Sequence, residues 1–198
     1  MKLGIAGYGI VGKATHKGLL SNCAVVIHDP IFNTTIEDLY VCNYVFFCIP
    51  TDTESSIQLL VDEIKRLKAV SPSCTVIIRS TVPVGTCSTI EKLINDKIYY
   101  MPEFLRERVW ETDCFNRPII VGSDDQPLPI CLYDEDCIVC SLEEAEEIYN
   151  EIALSEVKQT VDKMVADGIM EIVGYNDDNE PLFGLTELGK QIQKELEK

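Results

Sequence analysis

The sequence predicts an α/β protein: a doubly wound parallel sheet over residues 1–140, followed by a small α+β appendage over residues 141–198. Three observations predict it. Short apolar runs alternate with helix-like stretches through the front of the chain, as the crossovers of a parallel sheet require. A glycine phrase, Gly7-Tyr8-Gly9-Ile10-Val11-Gly12, stands between the first apolar run and the first helix-like stretch. The rhythm breaks after Gly122, in a segment with Pro127, Pro129 and clustered acids, and a helix–hairpin–helix pattern follows.

Taken in order, residues 2–6 form the first strand, 12–20 the first helix and 24–28 the second strand. Residues 35–39 read as a short helical turn. Tyr44-Val45-Phe46-Phe47-Cys48-Ile49 is continuously apolar, as a strand covered on both faces should be, and Pro50 ends it. Ile57, Leu60, Val61, Ile64 and Leu67 repeat at helical spacing over residues 55–70. Residues 75–78 make the next strand, 89–94 a helix, and 98–101 and 118–121 two further strands. Residues 122–136 read as loop and 137–140 as a short strand. Ser141, with Glu144 three positions on, spells a capping box for a helix running to about residue 152. Ser155 is expected to cap a separate helix ending at Gly168. Residues 169–175 and 182–185 then pair across the turn cluster Asn176-Asp177-Asp178-Asn179-Glu180-Pro181, and Thr186 caps a last helix. This back segment resembles a winged helix.

The glycine phrase carries the first chemical meaning. Gly7 allows a tight turn, Gly9 a close approach of backbone to a pyrophosphate, and Gly12 close packing of helix on strand. The helix N-terminus offers unpaired N–H groups to the phosphates, and Ile10 and Val11 of the glycine phrase are counted among the cofactor-binding residues. Asp29 ends the second apolar run, where an acid accepts hydrogen bonds from the adenosine ribose hydroxyls and favours NAD over NADP. Ligands of such sheets sit at the carboxyl ends of the strands. Pro50, Thr51, Ser80, Thr81, Pro102 and Glu103 therefore join Gly7, Gly9, Ile10, Val11, Gly12 and Asp29 around one cleft.

Composition excludes several classes. A 198-residue chain that is 46% apolar buries a sizeable core, and no run approaches the roughly 18 apolar residues of a membrane span. The N-terminus lacks the layout of a signal peptide. Nine scattered cysteines, several in strand-like runs (Cys42, Cys48, Cys74, Cys137), read as buried reduced thiols of a cytoplasmic protein. The pair Cys137 and Cys140 reads as strand, and no metal is expected. The net charge of −16 is uneven. Residues 1–122 hold 12 Lys/Arg against 13 Asp/Glu, and residues 123–198 hold 5 against 20. Such an acidic end repels nucleic acid and anionic membranes.

Five phrases in order resemble one family. They are Gly4-Ile5-Ala6-Gly7-Tyr8-Gly9-Ile10-Val11-Gly12, Cys48-Ile49-Pro50-Thr51, Arg79-Ser80-Thr81-Val82-Pro83-Val84-Gly85-Thr86, Met101-Pro102-Glu103-Phe104-Leu105-Arg106-Glu107 and Arg117-Pro118-Ile119-Ile120-Val121-Gly122. Together they resemble the N-terminal NAD-binding domain of the UDP-glucose/GDP-mannose dehydrogenases, with a weaker continuation through Cys140-Ser141-Leu142-Glu143-Glu144-Ala145-Glu146. The resemblance implies a Rossmann-like fold and NAD as cofactor. It places Thr81, Glu103 and Glu107 at the family's catalytic threonine and glutamates. It also implies oxidation of a sugar alcohol to a carboxylate through a cysteine thioester. The chain departs from the family at two helix positions: Tyr149 and Ala153 stand where a lysine and an asparagine are expected. The family's Gly-rich cysteine phrase is absent, and the 76 residues after Gly122 leave no room for its nucleotide-sugar domain. The expectation is therefore a truncated NAD-binding protein, an oxidoreductase that either pairs with a partner chain supplying the thiol domain or performs a simpler single hydride transfer. The alternative is a non-catalytic NAD-binding sensor or assembly subunit whose acidic end contacts a protein partner or a second copy.

Overall fold

The computed structural model describes residues 1–116, 119–124, 138–176 and 180–196. The chain divides into two compact units, Met1–Tyr149 and Asn150–Lys198. The strands are β1 (Leu3–Ala6), β2 (Val25–His28), β3 (Tyr44–Phe47), β4 (Thr75–Ile78), β5 (Ile98–Tyr100), β6 (Ile120–Gly122), β7 (Ile138–Cys140), β8 (Met170–Tyr175) and β9 (Pro181–Leu185). The helices are α1 (Ile10–Ala14), α2 (Glu54–Val70), α3 (Thr86–Ile94), α4 (Trp110–Asn116), α5 (Leu142–Ala166) and α6 (Glu187–Leu196).

In the first unit seven strands order as β2-β1-β3-β4-β5-β6-β7. The chain moves outward from β1 to β2 and then crosses back to β3, so the order reverses between β1 and β3. That reversal opens a crevice at the carboxyl ends of the two strands. The central strands are apolar throughout because both faces are covered: Leu3, Ile5, Val45, Phe46, Phe47, Val76, Ile77 and Ile78 are all buried. α2 starts at Thr53, whose hydroxyl accepts from Ser56 N at 3.2 Å, and buries Leu60, Val61, Ile64 and Leu67. These are four of the five apolar positions that the sequence spacing marks.

Three expectations need correction. The sheet is not parallel throughout: β6 runs antiparallel to β5, with Tyr100 opposite Gly122, and β7 then runs parallel to β6. Among its described residues, the link from β5 to β6 carries a 3₁₀ turn and the seven-residue α4, which packs against the α1 region. The first helix begins at Ile10, earlier than the glycine spacing suggests, and widens into a π turn over Thr15–Leu19. There the Thr15 hydroxyl donates to the Val11 carbonyl at 2.8 Å, and Leu20 N reaches back five residues to the Thr15 carbonyl. Finally, residues 142–166 form one helix, not two. No glycine or proline interrupts them, and Ser155 sits inside the helix with its hydroxyl facing Gln159 at 3.5 Å.

The capping box forms as the sequence spells it: Glu144 accepts from Ser141 N at 2.8 Å, and Ser141 Oγ accepts from Glu144 N at 3.2 Å. Leu142, Ala145 and Glu146 are buried, so the packing boundary falls two turns after the start of this helix. The second unit takes up the helix from residue 150, then the antiparallel pair β8–β9 and α6. Thr186 caps α6 by accepting from Gly189 N at 3.2 Å. The middle of the expected 122–136 loop, Cys137 and residues 177–179 of the turn cluster lie outside the described residues.

Candidate functional site

The crevice at the β1/β3 reversal is a cavity of about 950 Å³. Gly7, Gly9, Ile10, Val11, Asp29, Pro50, Thr51, Ser80, Thr81 and Glu103 all line it. Each glycine of the loop has its own reason. Gly7 takes φ 89°, and a Cβ there would stand 2.6 Å from the Cys48 carbonyl oxygen. A Cβ on Gly12 would meet the Gly7 carbonyl oxygen at 2.1 Å, so Gly12 lies beneath the cavity and lets α1 press on the loop. Gly9 faces open space, with nothing within 4 Å of a built Cβ. It also precedes α1 without any side-chain cap, which leaves first-turn N–H groups for a ligand. Bare backbone, free donors and open room fit the pyrophosphate of a dinucleotide.

Asp29 stands at the end of β2. Its Oδ2 accepts from Tyr8 N at 2.7 Å and its Oδ1 from Ile31 N at 3.0 Å. The carboxylate thus ties the glycine loop to the turn after β2. Each oxygen keeps a second lone pair for a ribose hydroxyl. Behind it, His28 Nδ1 and Asp29 N both meet the Thr34 hydroxyl, at 3.2 and 3.0 Å.

The opposite end is built by the strand ends of β3 and β4 and the segment after β5. The Thr51 hydroxyl donates to the Thr81 carbonyl, and Ser80 Oγ donates to the Phe47 carbonyl at 3.3 Å. Thr81 Oγ1 donates to the Tyr149 hydroxyl at 2.9 Å, and the Tyr149 ring lies 5.1 Å from that of Phe104. Glu103 Oε2 accepts from Leu105 N at 2.5 Å. Glu107 opens a single 3₁₀ turn, Glu107–Val109, and its side chain lies outside the described residues. Under this end, Arg79 is buried and its Nε donates to Thr15 Oγ1 at 3.1 Å. Burial lowers the affinity of its guanidinium for the proton, while the neighbouring Cys48 and Glu103 oppose that effect. Burial pushes the Cys48 thiol up to about 11, against the pull of Arg79.

Among the wall residues that sequence reasoning missed are His28, Thr34, Glu63 and Arg66, which line the Asp29 end. Glu63 and Arg66 share a helix face at i,i+3 spacing, a signal present in the sequence. Glu146 was missed as a structural acid. It is buried on α5, and its two oxygens accept from Gly85 N at 2.6 Å and Cys87 N at 3.0 Å, at the start of α3. Nothing local to residue 146 announces partners about sixty positions away.

Residues 30–153 match the model of the UDP-glucose/GDP-mannose dehydrogenase family, NAD binding domain. The match begins one residue past Asp29. A stretch of 105 residues is 28% identical to an uncharacterised protein of Methanocaldococcus jannaschii, covering 48% of this chain and 12% of that protein. Solved structures of similar fold include a UDP-D-ManNAc dehydrogenase from Pyrococcus horikoshii (18% identity, 75% of this chain, 49% of that chain, TM-score 0.58). Another is an NADP-bound pyrroline carboxylate reductase from Plasmodium falciparum (13% identity, 100% of this chain, 78% of that chain, TM-score 0.58). A third is a Streptomyces aurantiacus imine reductase (8% identity, 85% of this chain, 66% of that chain, TM-score 0.61). The chain thus spans about an eighth of the curated relative and half of the Pyrococcus enzyme.

Proposed function

Because the chain belongs to the UDP-glucose/GDP-mannose dehydrogenase family and carries its NAD-binding domain, we propose that it is the cofactor-holding part of a nucleotide-sugar oxidoreductase whose thiol chemistry another chain supplies. Bound NAD provides the hydride acceptor. The N–H groups after Gly9 hold its pyrophosphate, and Asp29 holds its ribose hydroxyls. Thr81 and Glu103, with Glu107, serve the reacting end, where carboxylates manage protons and water. Tyr149 fixes the Thr81 hydroxyl through their 2.9 Å hydrogen bond. It offers a phenol where the resemblance calls for a lysine, and Ala153 offers only a methyl where it calls for an asparagine.

One observation carries the need for a second chain. Among the described residues, Cys48 is the cysteine that lines the cavity, and its thiol is raised to about 11. At neutral pH it is a thiol, not a thiolate, and is unsuited to trap an aldehyde. The test follows absorbance at 340 nm with NAD and UDP-glucose or GDP-mannose. The isolated chain is expected to bind NAD calorimetrically and to produce no NADH; NADH production by this chain alone would overturn the reading.

A second reading, a non-catalytic NAD-binding sensor or assembly subunit, is favoured by the engagement of Thr81 with Tyr149. It is distinguished by a change of assembly with the cofactor's redox state, read by light scattering with NAD against NADH. In both readings the acidic, winged-helix-like segment 141–198 makes protein contacts, with a second copy or another chain. Leu154, Val157, Val173 and Tyr175 are all at least 60% exposed, which supports an interface there. No described helix is long and apolar enough to cross a membrane. The seven described cysteines are free thiols, which supports the cytoplasm as its compartment.

A further inference from the structure

The Asp29 end of the cavity holds a charged cluster that cofactor binding as described leaves unused. Arg66 lines the cavity, yet its guanidinium is engaged on both edges. Nε and Nη2 donate to the two oxygens of Glu37 at 2.9 and 2.8 Å, and Nη1 donates to Glu63 Oε1 at 2.6 Å. Among the described residues the other Glu63 oxygen, which is buried, has no hydrogen-bond partner, and it lies 3.7 Å from His28 Nε2. His28 immediately precedes Asp29. A line of contacts therefore runs from the guanidinium to the residue beside the ribose-facing acid.

We propose that Arg66 is a specificity-determining residue for the cofactor: Glu37 and Glu63 withhold its guanidinium from an adenosine 2′-phosphate, and so exclude the phosphorylated dinucleotide. The inference rests on the reading of this cavity as the dinucleotide site. An arginine fork matches a phosphate in the same bidentate geometry in which it matches a carboxylate, so Glu37 occupies the edge that a 2′-phosphate needs. With the fork held, three carboxylates (Asp29, Glu37 and Glu63) stand against one guanidinium, and a phosphate entering there meets net negative charge. Asp29 selects for a ribose diol; the held Arg66 selects against what would replace it. The latch is separable from the fold, because Glu37 and Arg66 are both substantially exposed, with side-chain exposures of 38% and 49%.

The test is a calorimetric titration of NADH and NADPH into the full chain at one ionic strength, for wild type, Glu37→Gln and Glu37→Gln/Arg66→Ala. Wild type is expected to bind NADH and to bind NADPH at least about tenfold more weakly. Glu37→Gln should raise the NADPH-to-NADH affinity ratio by about fivefold to tenfold, and the double variant should return it to the wild-type value or below. Glu37→Ala, reading the same ratio, covers a folding defect in the glutamine variant. An unchanged ratio in both latch variants, or equal binding of NADH and NADPH by wild type, would overturn the proposal. Failure of wild type to bind either dinucleotide would overturn the cofactor reading itself and this inference with it.

Discussion

Asp29 does two jobs with one carboxylate. It fastens the glycine loop through Tyr8 N and presents its remaining lone pairs to the cavity. Asp29→Ala therefore loses both a loop tether and the proposed ribose acceptor. Hydrogen bonds to a charged group contribute about 1.5–3 kcal/mol each, so NAD affinity should fall roughly 10- to 100-fold by calorimetry. Cys48 and Cys74 give a pH prediction. Burial raises both thiols from an ordinary value of 9.0 to about 11 in the folded chain. The folded state thus holds their protons more tightly than the unfolded state. The associated stability is present below pH about 9 and is lost as pH rises through about 11. Urea midpoints should drop between pH 8.5 and 11, and should drop less in Cys48→Ala. The sequence showed the glycines and Asp29 because their reasons are local: a turn, a close approach, a strand end. It did not show the Arg66 latch, because Glu37 lies 29 positions from its partner.

At the scale of elements, α3 begins on a carboxylate borrowed from α5. Gly85 and the residues after it have no side-chain cap of their own, and Glu146 satisfies two of their N–H groups from within the core. A helix start buried without such partners is costly. Glu146→Ala leaves those donors unpaired and should cost about 2–4 kcal/mol, lowering Tm by roughly 4–15 °C in a thermal melt. Glu146→Gln should cost less, because one amide oxygen still accepts. The central strands were legible as unbroken apolar runs, and α2 from its apolar spacing. The reversed β6 was not, since strand direction depends on where α4 packs. The continuity of α5 was obscured by Ser155, a residue that caps helices in some settings and sits inside this one. The wall residues on α2 were legible as an i,i+3 pair but not as a cavity lining, because the face a helix turns toward a ligand is set by the sheet beneath it.

For the whole molecule, charge and architecture separate along the chain. Residues 1–122 are nearly neutral, and residues 123–198 carry five Lys/Arg against twenty Asp/Glu. Affinity for DNA comes largely from neutralised phosphates. The full chain should therefore give no mobility shift with duplex DNA even at 50 mM salt, and a salt-sensitive shift would contradict the charge argument. The seven-stranded sheet, its reversal at β1/β3 and the cavity at that reversal together make the central claim: a dinucleotide lies across the glycine loop with its pyrophosphate over Gly9. Gly9 is the position that isolates this claim. A Cβ there meets nothing within 4 Å among the described residues, so Gly9→Val should leave the melting temperature within about 2 °C while filling the space over the loop. The most direct measurement is a calorimetric titration of NAD into wild type and Gly9→Val, with melts of both. One-to-one binding by wild type, weakened at least tenfold in a variant of matched stability, is the expected result; no heat at millimolar NAD, or equal binding by Gly9→Val, would contradict it.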